Sequence, residues 1–240
     1  MRFNIAKCKV MHVGRGTRKS AQEYTMRDDL GAEHVLEVTR VERDLGVLVS
    51  DDLKLGNQCH AAATKARWKF GALKQVFTSR SPELWVVLWK THIRPHLEHA
   101  IHAWSPYQIG DIGVLERVQR AVTRHIGGMK GLNYEQRLAK LGWTTLEQRR
   151  VRGDLILTYQ HLKGNADVEL NWPWAHDISG PASSVRSRPV DVRLRPPITH
   201  NCKQHENFLT TRVAAPLAAL PSGMMSLPSV NAFKNAYDAL

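Results

Sequence analysis

Asp111-Ile112-Gly113-Val114-Leu115-Glu116-Arg117-Val118-Gln119-Arg120-Ala121-Val122-Thr123-Arg124-His125-Ile126 is the stretch on which the fold turns. Ile112, Leu115, Val118, Val122 and Ile126 recur at intervals of three and four, so they share one stripe of an α-helix. Arg117, Arg120 and Arg124 cluster on the opposite side, and Gly127-Gly128 stops the helix. Such a helix has one face to bury and another to hydrate, which is the pattern of a packed bundle with a basic exterior.

The same period extends both ways. Ala62, Ala66, Phe70, Leu73 and Phe77 predict a helix over 57–77, whose other sides carry Lys65, Arg67, Lys69 and Lys74. Ser81 as a cap with Pro82 in the first helical position opens a second helix, which runs towards Ile101. Pro95 lacks an amide donor and should kink or divide it near Arg94. Downstream, a short helix is expected from Tyr134 to Leu141. Thr144 with Glu147 reads as a capping box for a last helix that ends at Gly164. Residues 1–52 instead suggest short strands: one over 5–13, one around Val35, Leu36, Val38 and Val41, and one at Leu45-Gly46-Val47-Leu48-Val49. Trp172-Pro173-Trp174, Gly180-Pro181 and Pro196-Pro197 break any period over 164–206, where four arginines lie within ten residues. Ser229 caps a final short helix. The expectation is an α+β chain: a short β region (1–52), a basic helical bundle (53–163), a Pro- and Arg-rich linker (164–206), and an irregular tail with a short helical segment (207–240).

Charge follows the same division. The chain of 240 residues carries a formal net charge of +12. Residues 53–163 hold 18 basic and 7 acidic side chains, whereas residues 1–52 hold 9 of each. A helical unit with that bias favours a polyanion, most often nucleic acid, over the plain alternative of a solvated basic face. No run of 18 apolar residues is present, so no membrane span is expected. The first residues lack the apolar run of a secretory signal, and Cys8, Cys59 and Cys202 are sparse and odd in number. An intracellular site, nucleus or cytoplasm, is therefore expected.

Motifs for small-molecule chemistry are missing. Gly14-Arg15-Gly16 lacks the third glycine and the following helix of a dinucleotide fingerprint, and no Walker loop or H-E-x-x-H is present. Asp28-Asp29 and Asp51-Asp52 have the look of two-metal carboxylates but also of ordinary turn formers. His200, Cys202 and His205 offer three zinc-type donors where structural zinc takes four, so a polar loop is the default reading. The basic helices remain, with Lys65, Arg67, Lys69, Lys74, Arg117, Arg120, Arg124, Arg149 and Arg150 as candidate backbone-phosphate contacts. Tryptophans 68, 85, 89, 104 and 143 are either base-stacking groups or, for most, core residues.

A family resemblance runs through these blocks. Asn4-x2-Lys7-Cys8-Lys9-Val10-Met11-His12-x-Gly14, Glu42-x-Asp44-Leu45-Gly46-Val47 and His92-Ile93-Arg94-Pro95-His96-Leu97-Glu98 are followed by Ala103-Trp104-Ser105-Pro106-Tyr107, Leu115-Glu116-x-Val118-Gln119-Arg120 and Leu146-Glu147-x-Arg149-Arg150. In this order they resemble the C-terminal part of a non-LTR (LINE-type) retrotransposon reverse transcriptase, of the chicken-repeat-like or jockey-like group. The likeness is dense over 1–163 and loose over 205–240. It implies that 1–52 are the last palm strands and 53–163 a thumb-like bundle closing on an RNA–DNA or RNA template–primer duplex. By the same resemblance the Mg2+-binding aspartates and the fingers lie upstream of Met1, with Asp28-Asp29 and Asp51-Asp52 falling downstream of that loop. The expectation is a fragment of an RNA-directed DNA polymerase that clamps duplex but, without catalytic aspartates or a cofactor of its own, does not polymerise. The missing palm and fingers are its expected partners. A standalone basic nucleic-acid-binding module and a non-functional relic are the alternatives.

Overall fold

The computed structural model describes residues 4–14, 22–28, 30–164 and 202–240. It is an α+β structure dominated by helices. Most of the Gly14–Ser20 loop, Asp29, His200 and nearly all of the 164–206 linker lie outside the described residues.

Among the described residues, six short strands precede the α-helices: β1 (Lys9–Val10), β2 (Thr25–Arg27), β3 (Glu33–Val35), β4 (Glu37–Val38), β5 (Val41–Asp44) and β6 (Val47–Ser50). They pair two by two rather than as one sheet, with β1 parallel to β4, β2 antiparallel to β3, and β5 antiparallel to β6. Two expectations need correction. Residues Ile5–Lys7 form a 3-10 turn, not strand. Leu45-Gly46 is the tip of the β5–β6 hairpin, not part of a strand, and both residues take positive φ (45° and 88°). That is the geometry of a two-residue turn whose twist matches the flanking strands, and glycine supplies the half of it that is free of strain.

The helical part begins with α1 (Gly56–Val76), one residue from the predicted span. Ser81 caps α2 (Pro82–Leu88), its hydroxyl accepting from the Leu84 amide. A π turn over Trp89–Ile93 follows, then α3 (Arg94–Glu98) with Pro95 in its first turn. Pro95 offers no amide, and the chain re-registers through one wide turn in which the Arg94 amide reaches back to the Trp89 carbonyl. The helix does not reach Ile101 unbroken, because Ala100 takes a left-handed conformation (φ 51°) before α4 (Ile101–Trp104). Next come α5 (Ile109–His125), α6 (Tyr134–Leu141) and α7 (Leu146–Leu162). The capping box of α7 is Thr145 with Gln148, one residue later than Thr144 with Glu147. Both pairs satisfy the motif; the later one sets Leu146 inward, where it is buried. Beyond the undescribed stretch lie α8 (Lys203–Glu206), α9 (Leu209–Arg212), α10 (Ala214–Ala218), a 3-10 turn (Met224–Ser226) and α11 (Val230–Asp238), the last capped by Ser229 as expected. Residues Lys203–Glu206, assigned from sequence to the linker, are helical.

Two apolar clusters hold the helices together. In the first, Ala62, Ala63, Ala66 and Phe70 of α1 meet Val114, Leu115, Val118 and Val122 of α5. Trp85, Trp89 and Trp104 fill the remaining space. Alanines at the contact let the two long helices approach closely. In the second, Leu155 and Tyr159 of α7 pack on Leu209, Val213, Leu217, Met224 and Phe233 of the tail, with the Tyr159 and Phe233 rings stacked at 4.7 Å. Among the described residues no helix is long and apolar enough to cross a membrane.

Candidate nucleic-acid interface

Helix α5 sets out its arginines as the spacing requires. Val114, Leu115, Val118 and Val122 are buried, and Arg117, Arg120 and Arg124 stand exposed on the far side. Positions i, i+3 and i+7 fall on one face, so three guanidinium groups line about two turns. Among the described residues none of the three has an ion-pair partner; Arg120 lies over the Tyr134 ring at 4.2 Å, a cation–π contact that fixes its direction. Tyr134 in turn donates to the Glu116 carboxylate. Burial, reinforced by that carboxylate, pushes the Tyr134 phenol well above its ordinary value, so it stays a donor.

The α1 cations divide between the two edges of their helix. Lys65 and Lys69 lie on the edge near α3, where burial first and then these two ammonium groups hold His96 below the usual imidazole range. Lys74 lies towards the end of α5, stacked on Phe70 at 4.8 Å, and together with Arg80 it adds to the burial that lowers His125. Lys69 sits beside Trp68, 5.3 Å from its ring centroid. Trp68 is 68% exposed, whereas Trp85, Trp89 and Trp104 are core residues and Trp143 stacks on Trp89 at 5.2 Å. Of the five tryptophans, only Trp68 offers solvent an open face.

Two of the nine candidates are placed differently from the sequence expectation. Arg149 is turned to Glu98, which it shares with Arg94, so its charge is already matched. Arg150 is 5% exposed and cannot reach a phosphate. Neighbours in sequence point about 100° apart on a helix, and on α7 that step carries one side chain from the rim into the interior. In exchange, one basic residue outside the sequence reading joins the charged region: Arg80, exposed in the turn before α2. Arg137 of α6 is as buried as Arg150, bonded to Thr123 and the Leu132 carbonyl, and its pKa is lowered by burial and then by Arg124. No stripe signals Arg80, because it belongs to no periodic segment.

Asp28 and Asp52 act as turn formers. Asp28 accepts from the Leu30 and Ala32 amides and pairs with His34, all at 2.9 Å. Asp52 accepts from the Lys54 amide and pairs with its ammonium at 2.9 Å. Cys202 and His205 gather no third metal-type side chain among the described residues. Comparison of the chain with protein-family models, curated proteins and solved structures finds no match in any of the three.

Proposed function

We propose that the chain grips a nucleic-acid duplex by its phosphates, as the thumb-like part of a non-LTR retrotransposon reverse transcriptase. The observation that carries this reading is the α5 face: Arg117, Arg120 and Arg124 in one row, exposed and, among the described residues, without carboxylate partners. Lys74 of the adjoining helix, on the edge towards the end of α5, adds to it, while Lys65 and Lys69 stand on that helix's other edge, by α3. A rigid core beneath both helices fixes the spacing of the cations, as a clamp on a regular backbone requires. Contacts of this type fall on phosphates rather than base edges, so binding depends on salt and little on sequence. An RNA–DNA hybrid, with its A-like form, would be read by backbone shape.

Affinity for a hybrid duplex measured across a salt series tests the proposal. Replacing Arg117, Arg120 and Arg124 together by alanine is expected to flatten the salt dependence by about 2–3 in the log–log slope. An unchanged slope and affinity would overturn it. A second reading, a standalone basic binding module, draws on the two apolar clusters of the helical part, which close without a contribution from β1–β5. It predicts equal affinity for hybrid and double-stranded DNA.

A further inference from the structure

We infer that a cavity enclosed by the β5–β6 hairpin, α1 and α3 is a binding site for one phosphate group. Its volume is about 70 Å³, room for roughly two waters or a single tetrahedral oxyanion and too small for a ring. Gln58, Ala61, Ala62 and Lys65 stand at i, i+3, i+4 and i+7, so one face of α1 forms a wall. Arg43 of β5 and His96 of α3 line it from the other elements. The hairpin tip is tied down over it. His99, just after α3, donates through Nε2 to the Leu45 carbonyl at 3.3 Å, and a Cβ on Gly46 would stand 3.3 Å from that same nitrogen.

Donors converge on this cavity. Gln58 is only 6% exposed, and its Oε1 accepts the Leu48 amide at 2.9 Å. That bond fixes the orientation of the side-chain amide and leaves Nε2 without a hydrogen-bond partner among the described residues. Unlike the orphaned nitrogens of Trp143 and Arg150, it is not sealed off, and solvent reaches it. A nearly buried N–H group of this kind gains from an acceptor that fills the space beside it. The charge around it has one sign. Arg43 and Lys65 have no ion-pair partner among the described residues, and no Asp or Glu is among the residues lining the cavity. Two fixed positive charges and a neutral donor suit an anion of two negative charges with several acceptor oxygens, which a phosphate group is and a carboxylate is not. The cavity lies on the edge of α1 away from the α5 arginines, so the inference does not rest on the duplex-clamping proposal.

Inorganic phosphate, titrated into the whole 15N-labelled chain against chloride at equal ionic strength, is the first probe. Phosphate is expected to shift the Gln58 side-chain amide saturably, with Kd on the order of 1 mM, and chloride to leave it in place. Arg43→Gln and Lys65→Gln, both at exposed positions, should each weaken the response about tenfold, and the double variant should lose it. Replacing Arg117, Arg120 and Arg124 together by alanine should leave the phosphate response unchanged, so this site and the duplex clamp can fail separately. A short RNA–DNA hybrid is the second probe. Displacement of phosphate by the hybrid identifies the occupant as a backbone phosphate; no displacement identifies it as free phosphate or a phosphomonoester, and both outcomes uphold the site. A Gln58 amide unmoved by phosphate, moved equally by chloride, or still moved in the double variant would overturn the assignment.

Discussion

Gly127 shows how little room single positions leave. Its amide donates to the Arg80 carbonyl at 2.7 Å, and a Cβ placed there would stand 2.8 Å from that same oxygen. The clash is with backbone, which cannot rotate aside. Gly127→Ala is expected to cost about 1–3 kcal/mol, read as a lower denaturation midpoint, whereas Gly131→Ser, with open space around it but a positive φ, should cost about 1 kcal/mol. The α7 cap gives a sharper comparison. Thr145→Ala removes a real cap and should cost about 1 kcal/mol, and Thr144→Ala almost nothing. The reverse order would restore the earlier register. Cys59 is buried, and burial pushes its thiol up to about 12. Its reaction with a thiol reagent at pH 8 should therefore wait for unfolding, while half-buried Cys8 and Cys202 react first.

Among elements, α1 and α5 were legible because each buries an unbroken stripe, and period alone then fixes both the inner face and the arginine face. The α7 face was not. Arg149, Arg150 and Arg152 look alike in sequence, yet one pairs with Glu98, one is buried and one reaches Asp238 of α11. Only the partners separate them, and those lie 51 and 86 residues away for Arg149 and Arg152. The tail depends on the same distant contacts. Hydrogen bonds from Arg152 hold the Asp238 carboxyl below its ordinary value, so its folded pKa is lower than its unfolded one. This bond therefore stabilises α11 above pH about 4 and is lost as pH falls below that, by less than about 1 kcal/mol because the pair is partly exposed. Amide exchange in Val230–Asp238, measured at constant intrinsic rate, should rise on acidification, and Asp238→Asn should remove the pH dependence. Asp154→Ala acts harder. It leaves Arg212 half-buried without its carboxylate, with an expected loss of about 3 kcal/mol and early proteolysis of the tail.

Across the whole molecule, the contrast is between a helical part with two apolar clusters and a β region that covers little. Val35, Val38 and Val41 are exposed on strands that pair only two by two, and Leu30 and Leu45 are exposed in the turns between them. The short strands were legible over 1–52, but their pairing was not, since register between short strands depends on neighbours that periodicity does not name. Shortening the chain to begin at 41, which keeps the β5–β6 hairpin and the Val47 that packs on the first cluster, should therefore leave the thermal transition of the helical part within a few degrees of the full chain, as calorimetry would show. The Asp154–Arg212 clasp has a consequence of a different kind, in time rather than space. During synthesis the carboxylate emerges 58 residues before the guanidinium that satisfies it. At ribosomal rates of roughly 5–20 residues per second, that is a delay of about 3–12 seconds. For that interval α7 has its cap and its apolar face but neither the tail nor the clasp, so the nascent chain offers chaperones a defined, transient target that closes when residue 212 leaves the exit tunnel.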